Sequence, residues 1–157
     1  GQSLRVDLDG VAPINGDADL IAQALANLVE NAMRHAGADA AILVRLRRRP
    51  TETRLEVADN GGGVPQADRE RIVEPFVRLD SSRSTPGAGL GLAIVAAIAR
   101  LHEAELLLEN AAPGLRVALV WRSLGAKTMV SGSLNHELPR FPASLATKAH
   151  DCNFAPR

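Results

Sequence analysis

Four polar side chains near the start of the chain have the spacing of one helix edge. At about 100° per residue they cluster within roughly a third of a turn, beside an apolar stripe: Asn27, Asn31, Arg34 and His35. An amide oxygen is a hard ligand that suits Mg²⁺, and a cation one turn further on could meet phosphates that share the metal. A solvated helix edge is the alternative, and the helix by itself favours that interpretation.

A second candidate is the run Asp59-Asn60-Gly61-Gly62-Gly63, which follows a predicted strand. The carboxylate of Asp59 can accept a hydrogen bond from an exocyclic amine such as that of adenine. Gly61 and Gly63 let the backbone approach a flat ring because they carry no Cβ. A glycine-rich turn that begins with aspartate explains the same residues equally well.

A third candidate is Gly87-Ala88-Gly89-Leu90-Gly91, which opens a strongly apolar helix. Unpaired N–H groups and the positive end of the dipole at a helix start favour an anion, and phosphate is the obvious one. The segment is no dinucleotide fingerprint, because a loop precedes it, and no P-loop, because no Gly-Lys-Ser/Thr follows.

The composition limits the class of protein. The chain has 157 residues, about one domain, and is 46% hydrophobic, which excludes wholesale disorder. A net charge of zero gives no general electrostatic reason to bind nucleic acid or an anionic membrane. With 3% aromatic residues, a stacking platform for single-stranded nucleic acid is excluded. The single cysteine, Cys152, can form neither an internal disulfide nor a thiolate metal site by itself.

Hydrophobic periodicity predicts the elements that position these candidates. Asp17 is a plausible N-cap for a first helix, and Gly37 suits the position just after its end. Strands are predicted over residues 4–9, 40–48, 53–58, 105–109 and 115–121, helices over 18–36, 66–73 and 90–101, and a loop over 77–88.

These elements predict an α+β fold. We expect a two-layer sandwich in which a mixed, roughly five-stranded sheet carries three helices on one face. The domain is expected to occupy residues 1–122. Residues 123–157 lack sustained periodicity and are interpreted as a poorly ordered tail that need not be native sequence.

The order of these segments resembles a known family. Asn27–His35 resembles its N box, Asp59–Gly63 its G1 box, Glu74-Pro75-Phe76 with Arg78 its F box, and Gly87–Val95 its G2 box. The family is the ATP-binding catalytic domain of bacterial sensor histidine kinases. Its Bergerat fold is shared with type II topoisomerases, Hsp90 chaperones and MutL-type repair proteins. The resemblance covers about residues 4–121.

The resemblance implies roles at the phosphate end of ATP. Asn31 would bind the Mg²⁺ that bridges the phosphates, Asn27 would support that site, and Arg34 and His35 would lie near the phosphates. Asn27, Asn31 and Arg34 are therefore the residues implied in catalysis. The G2 box would wrap the triphosphate with Gly87, Gly89, Leu90 and Gly91. Position 88 is Ala where the family often has Thr or Ser, which removes one hydrogen bond to phosphate.

The resemblance also implies a base pocket and a lid. Asp59 would accept the adenine amino hydrogen, while Gly61 and Gly63 would line the pocket. Residues 77–88 would form the ATP lid. Phe76 would lie at the base of the lid and contact a partner domain, and core packing of Phe76 is an equally supported alternative.

The expected activity is transfer rather than hydrolysis. In ATP-hydrolysing relatives a glutamate one turn before the Mg²⁺-binding asparagine activates water, whereas this chain has Asn27 there, an amide with no useful basicity. The implied acceptor is a histidine on a separate dimerisation domain, with a response regulator downstream. A non-catalytic nucleotide-binding module and an ATP hydrolase of the same fold are the alternatives. The domain is expected in the cytoplasm, and an inner-membrane anchor on the parent kinase is compatible with that location.

The remaining histidines and the basic run receive no catalytic role. His136-Glu137-Leu138 is superficially similar to a phosphoacceptor motif, but Pro139 and Pro142 would break the helix that such a motif needs. His102 and His150 have no supporting partners in the sequence. The basic run of Arg45, Arg47, Arg48 and Arg49 is interpreted as a solvated strand face and hairpin end.

Overall fold

The structure is a computed structural model that describes residues 1–10, 13–77 and 89–122. These residues form five strands and two α-helices, joined by loops and two single-turn 3-10 helices. The strands are β1 (Ser3–Leu8), β2 (Ala41–Arg49), β3 (Glu52–Asp59), β4 (Glu105–Asn110) and β5 (Leu115–Arg122). The α-helices are α1 (Ala18–His35) and α2 (Gly91–Leu101), and the 3-10 turns span Gln66–Asp68 and Arg71–Val73.

The strands form a mixed sheet in the order β1-β2-β3-β5-β4. β1 runs parallel to β2, and the other neighbouring pairs are antiparallel. Parallel neighbours need a crossover connection, and α1 supplies it between β1 and β2. The predicted α+β class with a mixed five-stranded sheet is confirmed.

One face of the sheet packs against both α-helices. Alternate residues of a strand share a face, and on this face they are apolar. They join buried residues of both helices in a single core, whose central members include Ala24, Leu28, Val44, Val57, Val95 and Leu119. The predicted two-layer arrangement, with the helices on one face, follows from this core.

The ends of α1 have the chemistry that the sequence predicts. Oδ1 of Asp17 accepts hydrogen bonds from the backbone N–H groups of Asp19 at 2.9 Å and Leu20 at 3.0 Å. These bonds satisfy donors that have no partner inside the helix. Gly37 follows the C-cap residue Ala36 and has a φ of +100°, a conformation that glycine adopts without steric cost.

The opposite face of the sheet is covered by charged side chains. Arg54 donates hydrogen bonds to Glu56 at 2.8 Å and to Glu109 at 2.6 Å. Arg45 pairs with Asp7 at 3.1 Å and with Glu56 at 3.4 Å. Partial burial lowers the pKa of Arg54, but its hydrogen bonds and charge interactions with Glu56 and Glu109 outweigh that effect, so the pKa is raised overall.

The basic run in β2 belongs largely to this charged face. Arg47 pairs with Asp7 at 2.8 Å, beside the pair that Arg45 makes with the same carboxylate. Arg49 is exposed at the hairpin end. The run lies on a strand face and at a hairpin end as predicted, but the face is not simply solvated, because Arg45 and Arg47 are partly buried and pair with carboxylates of β1 and β3.

The middle of the three predicted helical segments has a different local form. Residues 66–73 form two separate 3-10 turns instead of one continuous α-helix. Neither turn contains a buried residue or a side-chain cap. Ile72 is only partly buried against the core, so the segment has little of the packing that stabilises short α-helices.

His102 has partners that the sequence does not reveal. Its ring is buried, Nε2 accepts a hydrogen bond from the backbone N–H of Asp17 at 2.9 Å, and Nδ1 lies 2.8 Å from the carbonyl oxygen of Ile98. This geometry requires a hydrogen on Nδ1 and none on Nε2. His102 therefore joins the start of α1 to the end of α2, and the expectation that it lacks partners is wrong.

The predicted tail of residues 123–157 lies outside the described residues, together with Cys152, His136 and His150. In the part of the chain that is described, neither α-helix can span a bilayer, because α2 has 11 residues and α1 carries charged side chains along its length.

Candidate functional site

The two carboxylate oxygens of Asp59, the last residue of β3, have different surroundings. Oδ1 accepts hydrogen bonds from the backbone N–H of Gly61 at 2.8 Å and from the backbone N–H of Leu115 at 3.3 Å. Among the residues that the structure describes, none donates a hydrogen bond to Oδ2. Since Asp59 is only partly buried, Oδ2 is left as an acceptor for a donor on a ligand.

The glycine-rich loop after Asp59 packs closely against other backbone. A Cβ on Gly61 would lie 2.5 Å from the Cα of Ala36, the residue that caps α1. Gly63 has a φ of +69°, and a Cβ there would lie 3.0 Å from the carbonyl oxygen of Gly114. Gly61 therefore permits the close approach that fixes the loop at the C-terminal end of α1, and Gly63 permits its packing against Gly114.

The predicted polar edge of α1 faces the start of α2. The amide nitrogen of Asn27 donates to the backbone carbonyl of Gln23 at 2.9 Å. Its oxygen, Oδ1, lies 3.7 Å from the position that a Cβ on Gly91 would occupy. Asn31 follows one turn later, is partly buried, and has no hydrogen bond to another described residue. Its amide oxygen is consequently available to a cation.

The start of α2 is held by backbone contacts. Gly89 has a φ of +69°, and its carbonyl oxygen accepts a hydrogen bond from the backbone N–H of Phe76 at 3.2 Å. Leu90 is the N-cap residue and offers no side-chain hydrogen bond, so Gly91 opens the helix without a side-chain cap. The first N–H groups of α2 have no partner within the helix and suit an anion.

Two basic residues occupy the last turn of α1. Arg34 forms an ion pair with Glu30, one turn earlier, and its side chain is partly exposed. His35 is exposed beside it. Glu30 is engaged by this pair at the surface of α1, in agreement with its interpretation as a structural or solvated carboxylate.

Phe76 lies at the edge of the described chain and is 74% exposed, with a φ of +65°. The core-packing alternative for Phe76 is therefore wrong. The predicted site residue Gly87, the F box residue Arg78, the position Ala88 and residues 78–88 of the predicted lid lie outside the described residues.

Together these contacts place two of the predicted segments, the Asp59 loop and the start of α2, against α1, which carries the third. The Asp59 loop packs at Ala36, and the start of α2 lies at Asn27. At about 1.5 Å of rise per residue, these two points on α1 are about 13 Å apart. Asn31 lies between them. The arrangement offers a hydrogen-bond acceptor at one end, uncapped N–H groups at the other, and an amide oxygen in the middle.

The side chains at the candidate site limit which metal ion could bind there. Within residues 1–10, 13–77 and 89–122, no three His, Cys, Asp or Glu side chains are grouped to hold a metal ion. Asn31 alone would give a cation one oxygen ligand. This fits a hard ion such as Mg²⁺, which commonly takes one or two protein ligands and completes its shell with phosphates and water.

A surface groove of about 470 Å³ lies elsewhere, between the 3-10 turns, α2 and β4. It is lined by residues such as Arg69, Val73, Ala96 and Leu106 and includes none of the predicted site residues. The candidate site is defined by the contacts of the Asp59 loop and of the start of α2 with α1, and it is separate from this groove.

One contact at the site was not predicted from the sequence. The backbone N–H of Leu115, at the start of β5, donates to Asp59. A backbone donor has no side-chain signature, and the neighbouring Gly114 is the single sequence feature that hints at a close approach there.

Comparison with known proteins identifies the class of domain to which this fold belongs. The family model for histidine kinase-, DNA gyrase B- and HSP90-like ATPases matches residues 16–125. The chain belongs to this family.

Individual relatives narrow the class. The probable sensor histidine kinase TcrY of Mycobacterium tuberculosis is 40% identical over 103 residues, which are 64% of this chain and 22% of TcrY. The solved structure of the mycobacterial sensor histidine kinase MprB has a TM-score of 0.66 and 29% identity, over 77% of this chain and 81% of that one. Full-length ShkA in complex with AMPPNP has a TM-score of 0.66 and 28% identity, over 76% of this chain and 25% of ShkA.

These matches make the chain a catalytic ATP-binding domain of the sensor-histidine-kinase type. The chain spans about a fifth of the length of the curated relatives that it matches.

Proposed function

We propose that this domain binds Mg·ATP along α1 and presents the γ-phosphoryl group to a histidine on a separate dimerisation domain of the same kinase, from which a response regulator receives it. The observation that carries the proposal is the arrangement at the two points on α1. The loop that begins with Asp59 packs at Ala36 through Gly61, Oδ2 of Asp59 has no donor among the described residues, and the uncapped start of α2 lies at Asn27. Their separation is comparable to the length of an extended nucleoside triphosphate.

The base end of the proposed site is the Asp59 loop. Oδ2 of Asp59 accepts a hydrogen from the exocyclic amine of adenine, while Oδ1 stays bonded to Gly61 and Leu115. Gly61 and Gly63 line the base pocket, and their close backbone packing against Ala36 and Gly114 holds the pocket wall in place. A charge-assisted hydrogen bond of this kind distinguishes adenine from bases that lack the amine.

The phosphate end of the proposed site is the start of α2 with the polar edge of α1. The N–H groups after Leu90, together with Gly89 and Gly91, bind the phosphate oxygens, and Gly87 joins them. Asn31 holds Mg²⁺ through its amide oxygen, with Asn27 in support. When bound, this ion neutralises negative charge on the phosphates.

In this proposal the guanidinium of Arg34, which extends back along α1 to Glu30, supplies positive charge to the phosphates at the level of Asn31, and His35 follows Arg34 in the last turn of the helix. The present partner of Arg34 is Glu30, and the pair is accessible to solvent. Arg34 can exchange Glu30 for a phosphate oxygen at a small cost in free energy, because solvent-exposed ion pairs contribute little to stability.

The transfer step needs a nucleophile from outside the domain. A histidine ring nitrogen attacks the γ-phosphorus, the bond from that phosphorus to the β–γ bridging oxygen breaks, and ADP leaves with the electron pair. The nitrogen loses its proton to a base of the other domain. This chain contributes position and charge neutralisation.

Hydrolysis is less consistent with the same residues. Asn27 has no useful basicity, and Glu30 is paired with Arg34 at the surface of α1. Neither group is set up to take a proton from water, so the proposed acceptor is a protein side chain.

The experiment combines the 157-residue chain with a purified dimerisation domain from its own kinase and follows labelled γ-phosphate. Transfer to that domain is expected, and an acceptor whose histidine is changed to glutamine serves as the matched control. Nucleotide binding without transfer would indicate a regulatory module. Steady phosphate release in the absence of any acceptor would indicate a hydrolase.

A further inference from the structure

We propose that the corner of the β4–β5 hairpin, residues 110–115, positions Asp59 for base recognition. In this proposal Leu115 supplies the backbone N–H that orients the carboxylate, and Gly114 permits the close approach that brings this N–H into range. Both are positioning residues, since they act through Asp59. The inference rests on the proposed adenine contact and adds the part of the fold that determines its geometry.

The hydrogen bonds of Asp59 set the orientation of its side chain. A carboxylate held by one donor can rotate about its Cβ–Cγ bond, because that torsion is broad. Oδ1 of Asp59 has two donors, Gly61 from its own loop and Leu115 from β5, which is 56 residues away in sequence. Two donors from separate segments on one oxygen leave Oδ2 with a fixed direction.

The packing of Gly114 explains how β5 comes close enough. Gly114 has a φ of +101°, and a Cβ at this position would overlap the backbone carbonyl of Asp59 and approach the Cα of Asn60 to 2.9 Å. On the other side, a Cβ on Gly63 would lie 3.0 Å from the carbonyl oxygen of Gly114. The hairpin corner and the Asp59 loop therefore pack backbone against backbone.

The corner itself is held by its own hydrogen bonds. The backbone N–H of Ala111 donates to the carbonyl of Gly114 at 3.0 Å, and the backbone N–H of Ala112 donates to the side chain of Asn110 at 3.1 Å. Asn110 and Leu115 are also register partners in the β4–β5 pair. The N–H of Leu115 is thus held by the sheet and by the bonds of the corner as well as by the packing of Gly114.

The test measures how well the protein distinguishes ATP from inosine triphosphate, in which a carbonyl replaces the exocyclic amine. Calorimetry gives both dissociation constants in the presence of Mg²⁺. The wild-type protein is expected to prefer ATP by about 10- to 100-fold, the value of one hydrogen bond to a charged group. In Gly114→Ala the preference should fall to about threefold or less, because Oδ2 loses its fixed direction.

Gly62→Ala is the matched control, since a Cβ on Gly62 would meet nothing within 4 Å and this glycine lies in the same loop. It should keep the wild-type preference. A loss of stability alone would weaken the binding of ATP and of inosine triphosphate equally. The ratio of the two dissociation constants would stay unchanged, so this ratio separates a positioning role from a general structural effect.

The outcomes distinguish the two proposals. A wild-type protein that binds both nucleotides equally would overturn the adenine contact, and with it the proposed base site. A wild-type preference that a folded Gly114→Ala variant retains would overturn the positioning role alone. If Gly114→Ala does not fold, a backbone ester at position 115 decides, because it replaces the N–H that bonds to Asp59 by an oxygen and adds no group that could clash. A reduced preference in that variant supports the inference, and a full one overturns it.

Discussion

In the proposed site, one oxygen of Asp59 bonds to the backbone and the other accepts a hydrogen from the ligand. The substitution Asp59→Asn therefore tests the ligand contact while keeping the backbone bonds. In Asp59→Asn the amide oxygen can keep the bonds to Gly61 and Leu115, which places the NH₂ group at the position of Oδ2. A donor would then face the amine of adenine. We expect Mg·ATP affinity to fall by about 1.5–3 kcal/mol, as for a lost hydrogen bond to a charged group. Calorimetry measures this change.

The same titration of Gly62→Ala controls for a general effect of changing this loop, and it should reproduce the wild-type affinity. Wild-type affinity in Asp59→Asn would contradict the assignment of adenine to this carboxylate.

Asn31 is the residue proposed to link the metal to α1, and its removal should separate metal-dependent from metal-independent binding. Asn31→Ala deletes the amide oxygen and leaves Asp59 and the start of α2 intact. We expect the variant to bind ATP as the wild type does in EDTA, with little further gain when Mg²⁺ is added. Gln23→Ala, an exposed position on the same helix, is the control. A full response to Mg²⁺ in Asn31→Ala would mean that the ligand lies elsewhere.

At the scale of the elements, His102 joins the two α-helices at the end remote from Asn27 and Gly91. His102→Ala leaves the backbone N–H of Asp17 without its acceptor and creates a void beside Gly16. We expect the free energy of unfolding to fall by about 1–3 kcal/mol, with nucleotide affinity unchanged in the folded protein. Urea denaturation followed by circular dichroism measures the loss.

A neighbouring side chain provides the comparison for this variant. Leu101 is 69% exposed at the end of α2, so Leu101→Ala should change stability by about 0.5 kcal/mol or less. Equal stability of the two variants would show that the buried bonds of His102 do not hold the helices together.

At the scale of the whole molecule, the two faces of the sheet contribute to different properties of the protein. The helix-facing side carries the core and the candidate site, and the other side carries the ion pairs of Arg54 with Glu56 and Glu109. Arg54→Ala leaves the buried Glu56 with weaker partners, such as Arg45 at 3.4 Å. We expect a loss of about 1–2 kcal/mol in stability and no change in Mg·ATP affinity.

Arg49→Ala removes the same side chain from an exposed position on this face and should be nearly neutral. Thermal and urea unfolding of both variants, with parallel calorimetry, would check the separation. Weakened nucleotide binding in a folded Arg54→Ala variant would show that the two faces are coupled.

The sequence predicted most of the fold because its signals are local. Alternation along the strands, the cap at Asp17 and the glycine at position 37 each act within a few residues. The candidate site was predictable where side-chain type carries the chemistry, as at Asp59 and Asn31. Their roles remain predictions that the experiments above address.

The parts that the sequence did not predict depend on distant neighbours. The partner of His102 is Asp17, 85 residues away, and the second donor to Asp59 is a backbone N–H, which any residue type except proline offers. Residues 66–73 have the composition of a short helix, but whether such a segment becomes one continuous helix depends on the apolar surface it can bury.

The three consecutive glycines at positions 61–63 appear equivalent in the sequence, yet only the outer two have no room for a side chain. Random substitution should therefore accumulate at Gly62 during neutral drift while Gly61 and Gly63 stay constant. A saturation library of this tripeptide, sorted for folded protein, would recover many residue types in the middle and almost exclusively glycine on either side.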